Sequence, residues 1–195
     1  MVKGSAVRKA DHPIDPLFLD RWSPRAMSGE AVGQADLMTL LEAARWAPSS
    51  FNNQPWRILY AHRDTPNWPL FFDLLVDANK AWAANAGVLL LFVSKKTFDH
   101  NGKPSITHSF DCGAAWANFA LQGCRLGLVV HGMQGFDYDK ARINLKVPEG
   151  YQVEAMIAVG KAGDPATLPE KLREKETPNS RRPLSQTACE GVWSL

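Results

Sequence analysis

The stretch Gly87-Val88-Leu89-Leu90-Leu91-Phe92-Val93-Ser94 limits the fold more than any other part of this chain. The apolar run from Val88 to Val93 is far shorter than the about 20 residues a bilayer-spanning helix needs. It also lacks the polar alternation of a strand with one wet face. It therefore predicts a central strand buried on both sides, and so a sheet that needs a packed layer over each face.

Other segments can supply those layers. Leu37, Leu40, Leu41 and Ala44 repeat at helical spacing, which predicts a helix over residues 37–47 with Asp36 as N-cap and Pro48 as its stop. Residues 68–79 carry Leu70, Phe71, Leu74 and Leu75 and read as a second helix. Residues 110–126 read as a long helix ended by Gly127. Its Gly113, Ala114, Ala115, Ala117, Ala120 and Gly123 would let another helix approach closely, from this chain or from a partner. Strands are expected at 56–61, 128–132 and 153–160, with a short helix at 138–145 capped by Asp137. Residues 1–34 read as an irregular arm holding Pro13, Pro16 and Pro24. After Gly160 the apolar pattern stops, and residues 161–195 read as an extension that docks on something, because it keeps Trp193.

The chain has 195 residues, enough for a core without disulfide staples. Its net charge of +2 gives no sign of a polyanionic partner, so no nucleic acid is expected. The three cysteines, Cys112, Cys124 and Cys189, form no CxxC pair, which argues against a thiolate zinc site and for a reducing, cytoplasmic setting. No apolar signal core or membrane span is read in the sequence.

Four constellations could carry chemistry, the last of them Asn179-Ser180-Arg181-Arg182-Pro183-Leu184 in the tail, where a basic pair could close over an anion or simply be solvated. Arg21, Ser23 and Arg25 would line one side of an extended segment and suit a phosphate. Taken alone, that spacing fits a solvated basic loop more simply. The turn from Pro48 to Pro55 presents Ser49, Ser50, Asn52, Asn53 and Gln54, which could meet a polar heterocycle or serve only as caps and punctuation. Gly132-Met133-Gln134-Gly135-Phe136-Asp137 follows a strand. Its glycines would let backbone N–H groups approach a ligand, or simply turn the chain into a helix. There is no GxGxxG, no GxxxxGK[ST] and no GxSxG.

In order along the chain, Arg21-x-Ser23-x-Arg25, then Leu40-Leu41-Glu42-Ala43-Ala44-Arg45-Trp46-Ala47-Pro48-Ser49-Ser50-Phe51-Asn52-Asn53-Gln54-Pro55-Trp56, then Met133-Gln134-Gly135 and Ser180-Arg181-Arg182-Pro183 resemble the flavin-dependent nitroreductase family. The resemblance runs from Arg21 onward. It implies an α+β fold, with a mixed, mostly antiparallel sheet flanked by helices. It also implies an intertwined homodimer with FMN at the interface. Residues 1–20 would be an N-terminal arm, 21–160 the FMN-binding core, and 161–195 an extension over the partner subunit.

By the same resemblance, Arg21, Ser23, Arg25 and Arg181 would hold the phosphate end of FMN. Pro48, Ser49, Ser50 and Asn52 would cover the flavin of the other protomer. Asn79 would bond the polar ring edge, with Gln134 and Gly135 beside N5. Relatives often carry Lys at the position of Asn179 and Glu at that of Gln134, and Arg182 is placed to replace the lost cation. The implied reaction is hydride transfer from NADH or NADPH, through the flavin, to a small acceptor such as a nitroaromatic, quinone or enal, with ping-pong kinetics. Dehalogenation, flavin breakdown or flavin storage are other uses of the same fold. Trp82 and Phe110 are candidates for stacking, with core packing the simpler fate.

Overall fold

A computed structural model describes residues 2–194. Four strands, β1 (Trp56–His62), β2 (Val88–Lys95), β3 (Leu128–Met133) and β4 (Tyr151–Lys161), form one sheet in the order β1-β2-β4-β3. All three pairings are antiparallel. β2 is buried along both faces, as its sequence requires. Val88, Leu90 and Phe92 join one apolar cluster and Leu89, Leu91 and Val93 the other, which is the strand's two-residue period expressed as two cores.

The first cluster is closed by α2 (Gln34–Arg45), through Leu37, Leu40 and Ala44, and by α5 (His108–Arg125), through Cys112, Ala115, Phe119 and Ala120. The second is closed by α3 (Trp68–Phe72), α4 (Asp77–Ala83) and α6 (Tyr138–Asn144). The expected α+β architecture, an antiparallel sheet with helices on both faces, is therefore present. Asp137 caps α6 through Lys140 N, as expected.

Several local readings need correction. The arm is not irregular throughout, because α1 (Pro16–Asp20) forms with Pro16 in its first turn and the Asp15 side chain accepting from Leu17 N. α2 begins at Gln34 after Gly33, so Asp36 sits inside the first turn and is not the cap. There its charge suits the helix dipole.

The helix expected over 68–79 breaks into α3 and α4. Leu75 pairs with Phe136 and Val76 N donates to Gly135 O, and these tertiary bonds outweigh a continuous helical ladder. The small residues of α5 divide their work. A Cβ on Gly123 would lie 2.3 Å from Val130 Cγ2, so this glycine serves close packing within the chain, whereas Gly113 meets nothing. Phe110 is 81% exposed and not core, while Trp82 is buried. Trp193, expected to dock, is 84% exposed in this chain.

Candidate functional site

Beyond α1 the chain from Arg21 to Ala26 has no regular structure, and three distant side chains fix the backbone from Leu19 onward. From the arm, Arg8 Nη1 donates to Leu19 O at 2.7 Å and to Arg21 O at 2.8 Å. From β3, His131 Nδ1 bonds Pro24 O at 2.8 Å. From the tail, the buried Glu176 accepts from Arg25 N at 2.7 Å and Ala26 N at 2.8 Å through one oxygen. With the backbone held by others, the side chains of Arg21, Ser23 and Arg25 are left to act. Arg21 Nη1 donates to Ser23 Oγ at 3.3 Å.

Arg21 and Arg181, one from each end of the chain, stand close enough to repel. Burial lowers the Arg21 pKa first, and the charge of Arg181 lowers it further. Neither Arg21 nor Arg181 has a carboxylate in ion-pair contact among the described residues. A half-buried guanidinium facing an exposed one, with no counter-charge among the described residues, is a setting that an anion stabilises. Arg182, expected to supply a substitute cation, is exposed and lines an open cleft between arm and tail beside Lys9 and Arg181.

Ser23 also lines a cavity of about 510 Å3, together with Gln134 and the apolar walls Phe92, Trp116, Met133 and Ile157. That size lies within the roughly 300–1,000 Å3 of ordinary ligand pockets. Beside Gln134, Asn79 Nδ2 donates to Gly135 O at 3.0 Å, while its Oδ1 accepts from Trp82 Nε1 at 3.3 Å. A Cβ at Gly135 would sit 2.7 Å from Asn79 Nδ2 and displace that amide from its present position. The Gly135 N–H has no protein acceptor among the described residues. The break between α3 and α4 is what brings Asn79 to this loop.

One carboxylate, Glu154, lines the same cavity and was not singled out in the sequence. A bulge puts it there, since Phe92 pairs with Ala155 and Val93 with Val153, leaving Glu154 over. Its Oε1 accepts from Ser109 Oγ at 2.7 Å and from Ser94 Oγ. Cys112 lines the cavity as an inert thiol, its pKa pushed up to about 12 by burial, with Glu154 and Asp111 adding to the effect.

Pro48, Ser49, Ser50 and Asn52 do not line this cavity. Their turn is anchored elsewhere. Ser50 N donates to the buried Asp111 at 3.1 Å, Ser49 Oγ accepts from Gln54 N at 3.0 Å, and buried Asn53 bonds Thr97 O and Asp99 N. Phe51, Asn52 and Gln54 all have positive φ, near 50°. Such strain costs about 1–3 kcal/mol per residue and persists only where surrounding bonds impose it. Within one chain, then, Arg21, Ser23 and Arg181 come together at one end and Asn79, Gln134 and Gly135 at the other. The Pro48–Asn52 turn is held in shape but does not line the cavity of its own chain.

His131 illustrates how the site sets a pH dependence. Burial lowers its pKa from 6.5 to about 4, and the charges of Arg25 and Arg21 push the same way. A carbonyl can only accept, so Nδ1 carries the proton in the bond to Pro24 O. The unfolded chain protonates this imidazole below about pH 6.5 and the folded chain does not until about 4, so stability falls as pH falls through that window, by about 3 kcal/mol at most. Urea unfolding at pH 7.5 and 5 should show this loss in the wild type and a smaller one in His131→Asn. Equal losses in the two proteins would contradict the assignment.

Comparison with known proteins bears on the fold and family of this chain. A profile of the Nitroreductase family matches residues 19–65, which span both the Arg21 segment and the Pro48–Asn52 turn. A solved structure described as an oxidoreductase containing FMN is 49% identical, covers 96% of each chain and superposes with a TM-score of 0.93. A protein assigned as a nitroreductase and crystallised with FMN, from Desulfovibrio desulfuricans, is 25% identical with a TM-score of 0.71, over 95% of this chain and all of that one. An uncharacterised 15.4 kDa protein from the ask 5′ region of Mycolicibacterium smegmatis is 31% identical over 120 residues, 61% of this chain and 80% of that protein. The fold is the nitroreductase-like α+β scaffold of these neighbours. The chain belongs to the nitroreductase family.

Proposed function

We propose that this chain is an FMN-dependent oxidoreductase that passes hydride from NADH or NADPH to a small electrophilic acceptor, such as a nitroaromatic, quinone or enal, with ping-pong kinetics. One observation carries the reading. Arg21 and Arg181, paired guanidiniums with no counter-ion among the described residues, connect through Ser23 to an apolar cavity lined by Gln134, whose neighbour Gly135 has an N–H with no acceptor among those residues. A flavin mononucleotide has the same polarity sequence: a phosphate, a polar chain, then a flat, mostly apolar ring with a polar edge.

FMN, when bound, supplies the two-electron redox chemistry, so the protein needs no nucleophile of its own. In this reading Arg21, Ser23, Arg25 and Arg181 hold the phosphate. Trp116, Phe92 and Met133 exclude water from the ring. Asn79 has a second N–H and a second lone pair left for the polar edge, and the Gly135 N–H and Gln134 stand beside the reacting position. Pro48, Ser49, Ser50 and Asn52 complete the site from the second protomer of a homodimer, which gives a use to a strained, well-anchored turn that does not line its own cavity. The tail packs on its own arm through Glu176 and Asn179, so of the extension it is the end carrying the exposed Trp193 that reaches over that protomer. No helix among the described residues is long and apolar enough to cross a membrane. The reading includes a cytoplasmic setting, where the free cysteines stay reduced.

Anaerobic titration tests it. NADH or NADPH should bleach the FMN-loaded protein, and a nitroaromatic or quinone added afterwards should restore the colour. A flavin that binds yet is bleached by neither dinucleotide would favour storage over catalysis.

A further inference from the structure

Arg8 lies outside the matched family segment, yet it is among the most heavily bonded side chains near the cradle. Its Nη1 donates to Leu19 O and Arg21 O, its Nε to Asn179 O at 2.7 Å, and its Nη2 to Asn179 Oδ1 at 3.3 Å. The same Asn179 Oδ1 accepts from Arg181 Nη1 at 3.1 Å. One guanidinium thus touches the backbone that carries Arg21 and the side chain that orients Arg181.

The rest of the arm supports this placement. Ser5 N and Oγ both donate to Asp20, and Trp22 Nε1 donates to Val2 O at 2.9 Å. A Cβ on Gly4 would lie 1.8 Å from Leu19 O, so the arm lies directly against the segment. With four N–H bonds already committed, Arg8 has little left to give a ligand directly. Its charge nevertheless raises the positive potential at the cradle, because Arg181 and Arg21 both act on it electrostatically.

We propose that Arg8 is a positioning residue for the phosphate cradle. It clamps the N-terminal arm, the Arg21 segment and the C-terminal tail together so that guanidiniums from opposite ends of the chain face one phosphate monoester. This rests on the FMN reading above and gives the N-terminal arm a role in it.

The test compares FMN with riboflavin, which lacks the phosphate. Both affinities are measured by flavin fluorescence quenching in the wild type, Arg8→Ala, Arg8→Lys and Asn179→Leu, with circular dichroism and thermal melting as fold controls. Arg8→Ala should weaken FMN binding about tenfold and leave riboflavin binding within about twofold. Arg8→Lys should recover part of the loss. Asn179→Leu leaves the backbone bond but removes the Oδ1 that joins Arg8 to Arg181, and should weaken FMN and not riboflavin binding if Arg8→Ala fails to fold. An FMN-to-riboflavin preference unchanged in the folded variants, or equal weakening of both ligands, would overturn the role of Arg8. A wild-type protein that binds neither flavin would instead overturn the FMN reading itself.

Discussion

Replacing Arg21 and Arg25 together by alanine is expected to weaken FMN binding by about two to four orders of magnitude. The estimate follows from roughly 1.5–3 kcal/mol for each hydrogen bond to a charged group. The fold should survive, because the backbone here is held by Arg8, His131 and Glu176 and not by the arginine side chains that are removed. Removing the half-buried Arg21 also relieves its repulsion with Arg181. Fluorescence titration with FMN and riboflavin measures the effect, which should be confined to FMN. Unchanged FMN affinity would remove the phosphate assignment from this segment.

Glu176→Ala should be the most destabilising single change near the site, at about 2–4 kcal/mol. It strips the acceptor from Arg25 N and from the buried Ala26 N, and a buried donor left unpaired costs more than the bond itself contributes. The other Glu176 oxygen is buried without a partner, so Glu176→Gln keeps the useful acceptor and puts an amide group where that oxygen now stands. The glutamine variant should therefore stay within about 1 kcal/mol of wild type. Urea unfolding separates the two. Equal losses would mean that the negative charge, and not the two hydrogen bonds, is what matters at this position.

How legible all this is in the sequence depends on the distance over which residues interact. The apolar run of β2 foretells its own burial because a strand's faces are written in adjacent residues. The same holds for α5, and for Asp137, which caps its own helix. Arg21 and Ser23 are two residues apart, so their cooperation is visible in the spacing. What fixes them is not. Pro24 to His131 spans 107 residues, Arg25 to Glu176 spans 151, and Arg8 to Asn179 spans 171. No local period or motif couples such pairs, so Glu176 reads as one more charge in a polar tail and Arg8 as one in a loose arm. Glu154 escapes for a related reason. A bulge in its pairing with β2 places it on the cavity, and a bulge leaves no mark in an otherwise apolar strand. The break between α3 and α4 is similar, because helical periodicity persists through residues that the Phe136 loop pulls out of the helix.

The reading of the site rests on the cradle and cavity forming one flavin site, and flavin uptake tests that most directly. Purified protein titrated with FMN should bind one flavin per chain, with the flavin fluorescence quenched as the ring enters the apolar cavity. Protein that stays colourless after reconstitution, and leaves FMN fluorescence unchanged across the titration, would contradict it.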